Sequence, residues 1–231
     1  MSHRVEIFKC RVGSHLYGTN LPDSDEDFSS IFLPSVEDLC GLNGCPDSIK
    51  KGKKISEGAK NHKGDIDDKA LSFRCFLNLL AKGDIVATEM LFAPAIHEHY
   101  IFKHWIRPRL LEFAVSKKFV KSLLGMATSP SISPKDMSHK YRAAWEALEL
   151  LIHQRLTFPR PDYQRSQMIA IKQAERAEEY VSALRNLVFR ADGLYMTSTL
   201  RSRPDLEELE KICLTILKNH VTIGYKEDDA V

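Results

Sequence analysis

Residues 13–28 read GSHLYGTNLPDSDEDF, and this stretch decides the predicted fold. It follows the apolar run VEIFKCRV at residues 5–12, whose β-branched and aromatic residues predict a strand. On an extended backbone, residues two apart point to the same side, so Asp25 and Asp27 can present both carboxylates to one site. Paired carboxylate oxygens suit Mg²⁺ or Mn²⁺, which in turn bind nucleotide phosphates. We call residues 13–28 the signature segment.

The start of the signature segment is suited to phosphate binding. Gly13 lets the backbone approach a phosphate closely, and Ser14 adds a hydroxyl and an amide donor. Two alternating aspartates also occur in ordinary acidic surface turns, and for the pair alone that interpretation stays open. The combination of a strand, a Gly-Ser pair, a glycine-containing turn, the aspartates and a second strand at about residues 28–33 favours a nucleotide and metal site.

Composition places the chain among globular proteins. Its 231 residues are 43% hydrophobic and 28% charged, and 33 basic residues are offset by 31 acidic ones. A net charge of +2 does not by itself indicate nucleic-acid binding, so any basic surface must be local. The five cysteines show no metal-binding spacing, which predicts reduced thiols. The N-terminus leaves no room for a signal peptide and no stretch is long enough to cross a bilayer, so we expect a cytoplasmic protein without membrane partners.

The second half of the chain has helical periodicity, with Trp105 and Trp145 as expected core residues. The predicted helices span residues 71–82, 85–92, 116–126, 135–155, 163–189 and 204–219. We therefore predict a catalytic domain over residues 1–110 and a helical subdomain over residues 111–231.

A lysine- and glycine-rich stretch interrupts the first half. Residues 50–63 contain six lysines, and a short strand is predicted near residues 54–55. The stretch is either a solvated connector or a flap that meets phosphates, and both interpretations stay open.

The signature segment and its continuation, GSHLYGTNLPDSDEDFSSIFLP, resemble the GS…DxD motif of the polymerase β-type nucleotidyltransferases. They are most similar to a branch of predicted nucleotidyltransferases that includes a proposed RNA-repair member. FRCFLNLLAKGDIVATEMLFAP at residues 73–94 resembles a helix pair of that branch. Lys135, His139 and Arg142 match its K-x-x-x-H-x-x-R pattern, and the resemblance extends to about residue 175.

The resemblance implies an α/β (α+β) fold, with a small mixed sheet flanked by helices and followed by a helical C-terminal part. It also implies a third carboxylate just before the helix that begins near residue 71. Counting back from residues 73–74, aligned with the pattern of the family, selects Asp67, with Asp65 and Asp68 as competing alternatives. Asp25, Asp27 and Asp67 would be the catalytic residues and would hold two Mg²⁺ or Mn²⁺ ions.

The implied reaction moves a nucleoside monophosphate from an NTP to an acceptor hydroxyl, such as an RNA end, and releases pyrophosphate. Lys135, His139 and Arg142 lie along one helix face, where they would hold the triphosphate; alternatively, the two cations pair with surface acids and His139 packs in a seam. The predicted nucleotide-binding residues are Gly13, Ser14, Tyr17, Ser24, Arg74, Lys135, His139 and Arg142. A contact of His15 with the base and a packing role in the turn are equally compatible with the sequence.

A second function comes from a different class of protein. The same fold without turnover would give a catalytically inactive nucleotide- or RNA-binding regulatory protein. The intact aspartate pair favours the enzyme, and within that class the acceptor is a nucleic acid, a protein or a small molecule.

Overall fold

A computed structural model of the chain describes residues 3–22, 24–52, 66–130 and 133–225. Its first half forms one five-stranded sheet in the order β3-β4-β2-β1-β5. Strands β2 and β4 are parallel, and the other neighbours are antiparallel. The strands are β1 (Val5–Val12), β2 (Glu26–Leu33), β3 (Ser48–Lys50), β4 (Ile66–Ser72) and β5 (Ala95–Glu98). This mixed sheet, followed by a helical C-terminal part, confirms the predicted fold class.

Half of the ten helices of the described residues begin after a side-chain cap. Five of them start after a Ser or Asp whose side chain accepts a hydrogen bond from a first-turn amide, namely Ser35, Ser72, Asp84, Ser133 and Asp205. The helices are α1 (Gly13–Tyr17), α2 (Val36–Cys40), α3 (Phe73–Lys82), α4 (Ile85–Met90), α5 (Arg107–Phe113), α6 (Lys117–Ala127), α7 (Pro134–His153), α8 (Asp162–Gln173), α9 (Val181–Thr197) and α10 (Leu206–Ile223). A π-helical turn (Phe102–Ile106) precedes α5. The domain boundary at residue 110, which stays a prediction, falls within α5.

One predicted helix is divided in two. The sequence predicted continuous helix over residues 163–189, but α8 ends at Gln173 and α9 begins at Val181. Between them, the carbonyl of Tyr180 accepts a hydrogen bond of 2.8 Å from the hydroxyl of Tyr141 on α7. The break lets the chain reverse, so that α8 and α9 both pack against α7.

The lysine-rich stretch falls largely outside the described residues. The predicted strand near residues 54–55 therefore lies outside the described residues, as does most of the predicted flap. The beginning of the stretch is described: Lys50 ends β3, and the Lys51 amide donates to the Asp68 carbonyl at 2.7 Å.

One continuous apolar core joins the sheet to the helices. Phe8 of β1 stacks on Phe102 of the π-helical turn with ring centroids 4.8 Å apart, and the Arg107 guanidinium lies over both rings. Trp145 is buried as predicted, but the prediction for Trp105 was wrong because its side chain is 60% exposed. Phe102 and Ile106 take the inward positions of the turn, which leaves the tryptophan between them facing outward. No helix in the described part of the chain is long and apolar enough to span a membrane.

The Phe8–Phe102 contact gives a stability prediction. Phe102→Ala removes a fully buried ring between the sheet and the helices, so we expect a loss of about 3–5 kcal/mol in the free energy of unfolding, measured with urea. Trp105→Ala, in the same turn but exposed, is the control and should change that free energy by less than about 0.5 kcal/mol. Equal losses in the two variants would contradict the assigned packing.

Candidate active site

Asp27 and Asp67 are neighbours in the sheet. The parallel register of β2 and β4 pairs these two residues, so their side chains point to the same face. The antiparallel register of β1 and β2 pairs Val12 with Asp27, which brings the next residue, Gly13, against the same carboxylate. Gly13 has a φ of 65°, and a Cβ there would lie 2.8 Å from Asp27 Oδ2. The position therefore requires glycine for both its backbone conformation and its close approach.

The electrostatics of Asp27 identify which other groups lie near it. Burial raises the pKa of the Asp27 carboxyl, and the negative charges of Asp67 and Asp25 raise it further. The positive charges of His15 and Lys135 oppose that shift by lowering the pKa. The structure thus pairs Asp27 with Asp67 and places Asp25 and the predicted cation Lys135 of α7 within electrostatic reach of Asp27.

Of the alternatives for the third carboxylate, Asp68 lies on the other face of the sheet. Its Oδ2 accepts a hydrogen bond of 2.6 Å from Lys9 Nζ, and the same ammonium lies 5.1 Å from the centroid of the Phe28 ring. Asp67 is exposed and faces the Asp27 side. Asp65 lies outside the described residues.

The donor chemistry of the three carboxylates fits a hard divalent cation. Mg²⁺ and Mn²⁺ take oxygen ligands, and a divalent cation between Asp25, Asp27 and Asp67 would offset the repulsion that raises the pKa of Asp27. Within residues 3–22, 24–52, 66–130 and 133–225, no three acidic, imidazole or thiol groups are already arranged to hold a metal ion.

Hydrogen bonds within the signature segment define its turns. The Ser14 carbonyl accepts from the amides of Gly18 and Thr19, which closes α1. Ser24 Oγ accepts from the Leu21 amide at 2.8 Å, and the Ser24 amide donates back to the Leu21 carbonyl at 2.9 Å. Ser24, predicted to bind nucleotide, therefore uses its hydroxyl to shape the turn that leads into Asp25.

Tyr17 and Arg142 are placed in the core instead of the predicted nucleotide cleft. Tyr17 donates through its hydroxyl to Glu89 Oε2 at 2.7 Å, and the Arg142 guanidinium lies 4.2 Å from the centroid of the Tyr17 ring. Arg142 also donates to Glu89 and, at 2.9 Å, to Glu146 Oε2. All four residues are at most 5% exposed, and we call them the buried ion cluster. A buried guanidinium requires such acidic partners, and these contacts hold Arg142 and Tyr17 in the core instead of the predicted cleft.

The buried ion cluster shifts the pKa values of its members. Burial is the main reason that the pKa of Glu89 rises to about 8; Arg142 lowers it and Glu146 raises it. Burial alone would lower the pKa of Arg142, but Glu146 and Glu89 hold it above its ordinary value. Glu89 thus retains a proton at a pH where an exposed glutamate has lost it.

A further cation, Lys172 of α8, joins Lys135 and His139 near the signature segment. Its Nζ donates to the Thr19 carbonyl at 2.9 Å and to Thr19 Oγ1 at 3.2 Å. His139 is half-buried, and burial followed by Arg142, Lys172 and Lys135 lowers its pKa to about 4. Sequence reasoning missed Lys172 because only the packing of α8 against α7 brings it here; no local pattern marks it.

Arg74 lies away from the cluster of aspartates. It follows β4, in which Asp67 and Ser72 are five positions apart, a distance of about 17 Å along the strand. Its side chain instead lines a groove between α3 and α10 that also contains Glu210 and Cys213. The prediction that Arg74 contacts the nucleotide is therefore not supported by its position.

Comparison with known proteins agrees with this architecture. The mixed sheet, the in-register aspartates and the Gly-Ser turn agree with the resemblance to the polymerase β-type nucleotidyltransferases. Residues 2–147 match the sequence model of RlaP, described as the RNA repair pathway DNA polymerase beta family. The match covers more than half of the chain, so the protein belongs to this family, and the predicted resemblance is confirmed.

Two individual proteins resemble this chain only in part or at low sequence identity. An uncharacterised 38.9 kDa protein from the nrdC-mobD intergenic region of Enterobacteria phage T4 is 38% identical over 88 residues, which are 38% of this chain and 26% of the phage protein. The chain thus matches about a quarter of the length of that relative. A solved nucleotidyltransferase-like protein from Exiguobacterium sibiricum is 9% identical, with a TM-score of 0.30 over 93% of this chain and 74% of that one.

The raised pKa of Glu89 predicts how stability depends on pH. Between the ordinary value of 4.5 and the folded value of about 8, the folded protein binds a proton that the unfolded chain has released. This contribution to stability is complete below pH 4.5 and is lost as the pH rises through 8. His139 acts in the opposite sense, but only between pH 4 and 6.5.

Melting temperature should therefore be measured from pH 6.5 to above pH 8, where Glu89 acts and His139 does not. For the wild type we expect the melting temperature to fall as the pH rises, by about 2–4 °C for each kcal/mol of folding stability that is lost. For Glu89→Gln the fall in melting temperature should be much smaller. The control is Glu179→Gln, whose glutamate is exposed and which should follow the wild type. If the melting temperatures of all three proteins fell equally with pH, Glu89 would not be the group responsible.

Proposed function

We propose that this protein is a metal-dependent nucleotidyltransferase that moves a nucleoside monophosphate from an NTP to the hydroxyl of an RNA end. The observation that carries the proposal is the in-register pair of Asp27 and Asp67, with Gly13 packed against the first of them. The choice of an RNA acceptor follows from the description of the family.

In the proposed reaction, the acceptor oxygen forms a bond to the α-phosphorus of the NTP. The bond from that phosphorus to the oxygen bridging to the β-phosphate breaks, and pyrophosphate leaves with the electron pair. The acceptor proton passes to the Asp67 carboxylate, whose exposure on the edge of the cluster leaves room for an incoming hydroxyl. Mg²⁺ or Mn²⁺, held by Asp25, Asp27 and Asp67, would neutralise phosphate charge and make the hydroxyl easier to deprotonate.

The remaining residues of the site bind and orient the nucleotide. Gly13 and Ser14 would receive the β- and γ-phosphates, since the absence of a side chain at Gly13 lets the phosphates approach the backbone. Lys135 is exposed, and its charge reaches Asp27. A polyphosphate bound beside the carboxylates would therefore also lie near a cation of α7. His139, with a pKa near 4, is neutral at pH 7 and can serve as a hydrogen-bond partner.

Substitution of the paired aspartates tests the proposal. Asp27→Asn and Asp67→Asn keep the side-chain size and remove the charge that would hold a divalent ion, so each should reduce transfer by about a thousandfold or more. The measurement is incorporation of label from an α-labelled NTP into RNA with Mg²⁺ or Mn²⁺. Asp68→Asn is the matched control, because Asp68 is the next residue of the same strand but pairs with Lys9 on the other face.

Retention of transfer by both Asp27→Asn and Asp67→Asn would reject the proposed site. Nucleotide binding by the wild type without release of pyrophosphate, in the presence of RNA and either metal, would reject the enzyme and favour the regulatory protein.

A further inference from the structure

Helix α8 contacts both the Gly18–Thr19 turn of the signature segment and helix α7. Arg165, Met168 and Lys172 are three, four and seven residues apart, so they lie on the same side of the helix. A Cβ at Gly18 would meet Arg165 Cδ at 2.8 Å, which places that side chain directly against the turn. The Met168 carbonyl accepts a hydrogen bond of 3.1 Å from Ser138 Oγ of α7.

The turn orients the ammonium of Lys172 but occupies only part of its hydrogen-bonding capacity. A lysine ammonium has three N–H donors, and Thr19 receives two of them, through its carbonyl at 2.9 Å and its hydroxyl at 3.2 Å. Thr19 itself is only 2% exposed and is therefore a fixed partner. Lys172 has no other hydrogen-bond partner among the described residues, so its third donor can meet a ligand bound near Lys135 and His139.

Two cations act on the ammonium of Lys172. Burial lowers its pKa first, and the positive charges of Lys135 and Arg142 lower it further. Of these neighbours, Arg142 is already matched by Glu89 and Glu146 within the buried ion cluster. Holding Lys172 and Lys135 near one another costs free energy that a bound anion would offset.

We infer that Lys172 is a polyphosphate-binding residue that links the nucleotide to the Gly18–Thr19 turn, and that Lys135, His139 and Lys172 together form the anion site. The inference rests on the proposed function and extends it to a residue outside the matched segment 2–147. It also gives α8 a role: by holding Thr19, the helix fixes the turn that leads into the aspartates, and the bound polyphosphate strengthens that contact.

The experiment measures binding of inorganic tripolyphosphate by calorimetry, at fixed free Mg²⁺, together with the KM and kcat for NTP. Lys172→Gln keeps a hydrogen-bond donor but removes the charge, and a charge-assisted contact is worth about 1.5–3 kcal/mol. We therefore expect tripolyphosphate affinity to fall about tenfold to a hundredfold and KM to rise similarly, with kcat changed less than about threefold. Lys172→Arg should restore most of the affinity, because it restores the charge. The control is Lys218→Gln, at an exposed position of α10.

A purely structural role for Lys172 predicts a different result. It would lower the melting temperature of Lys172→Gln and Lys172→Arg alike while leaving the tripolyphosphate affinity of the folded protein within about twofold of the wild type. That result, or equal affinities of Lys172→Gln and Lys218→Gln, overturns the inference. If the wild type binds tripolyphosphate through Lys172 but transfers no nucleotide, the anion site stands and the proposed function fails.

Discussion

The structure depends on one constraint, the need to balance a buried guanidinium. Arg142 of α7 is placed in the core, where an unpaired charge would cost several kcal/mol, and it is matched by Glu89 of α4 and by Glu146. Tyr17 completes the arrangement by donating to Glu89 and by packing its ring under the guanidinium. Because Tyr17 ends α1, the same contacts fix the helix whose first residue, Gly13, lies against Asp27. The geometry of the candidate site is thus set partly from inside the helical half.

Local patterns were sufficient to predict β1, β2 and the Gly-Ser turn, whereas the short strands β3 and β5 were not predicted. The choice between Asp67 and Asp68 needed more than a local pattern, because consecutive residues of a strand face opposite sides and either could belong to the site. The parallel pairing of β2 with β4 joins residues about forty positions apart. That pairing places Asp67 beside Asp27 and leaves Asp68 with Lys9, and only the family register indicated it beforehand.

The prediction for Arg142 failed for a physical reason that the sequence pattern does not reveal. Helical periodicity predicts which residues share a face, but a single face can run from solvent into the core. On α7, Lys135 is exposed, His139 is half-buried and Arg142 is 4% exposed, so the three residues lie at different depths. Their depth is decided by what packs over the helix, here α1, α4 and α8, and that is tertiary information. Lys172 was missed for the same reason.

The charges of the molecule are balanced in its core and separated at the candidate site. In the core, the guanidinium of Arg142 already contacts Glu89 and Glu146, so no ligand is needed there. At the site, burial and then neighbouring acids raise the pKa of Asp27, while burial and then neighbouring cations lower the pKa of Lys172. Each group is therefore short of the opposite charge. A metal-bound polyphosphate has both charges in the required order, with its cation toward the aspartates and its anionic oxygens toward the lysines, and so it would satisfy both halves of the site at once.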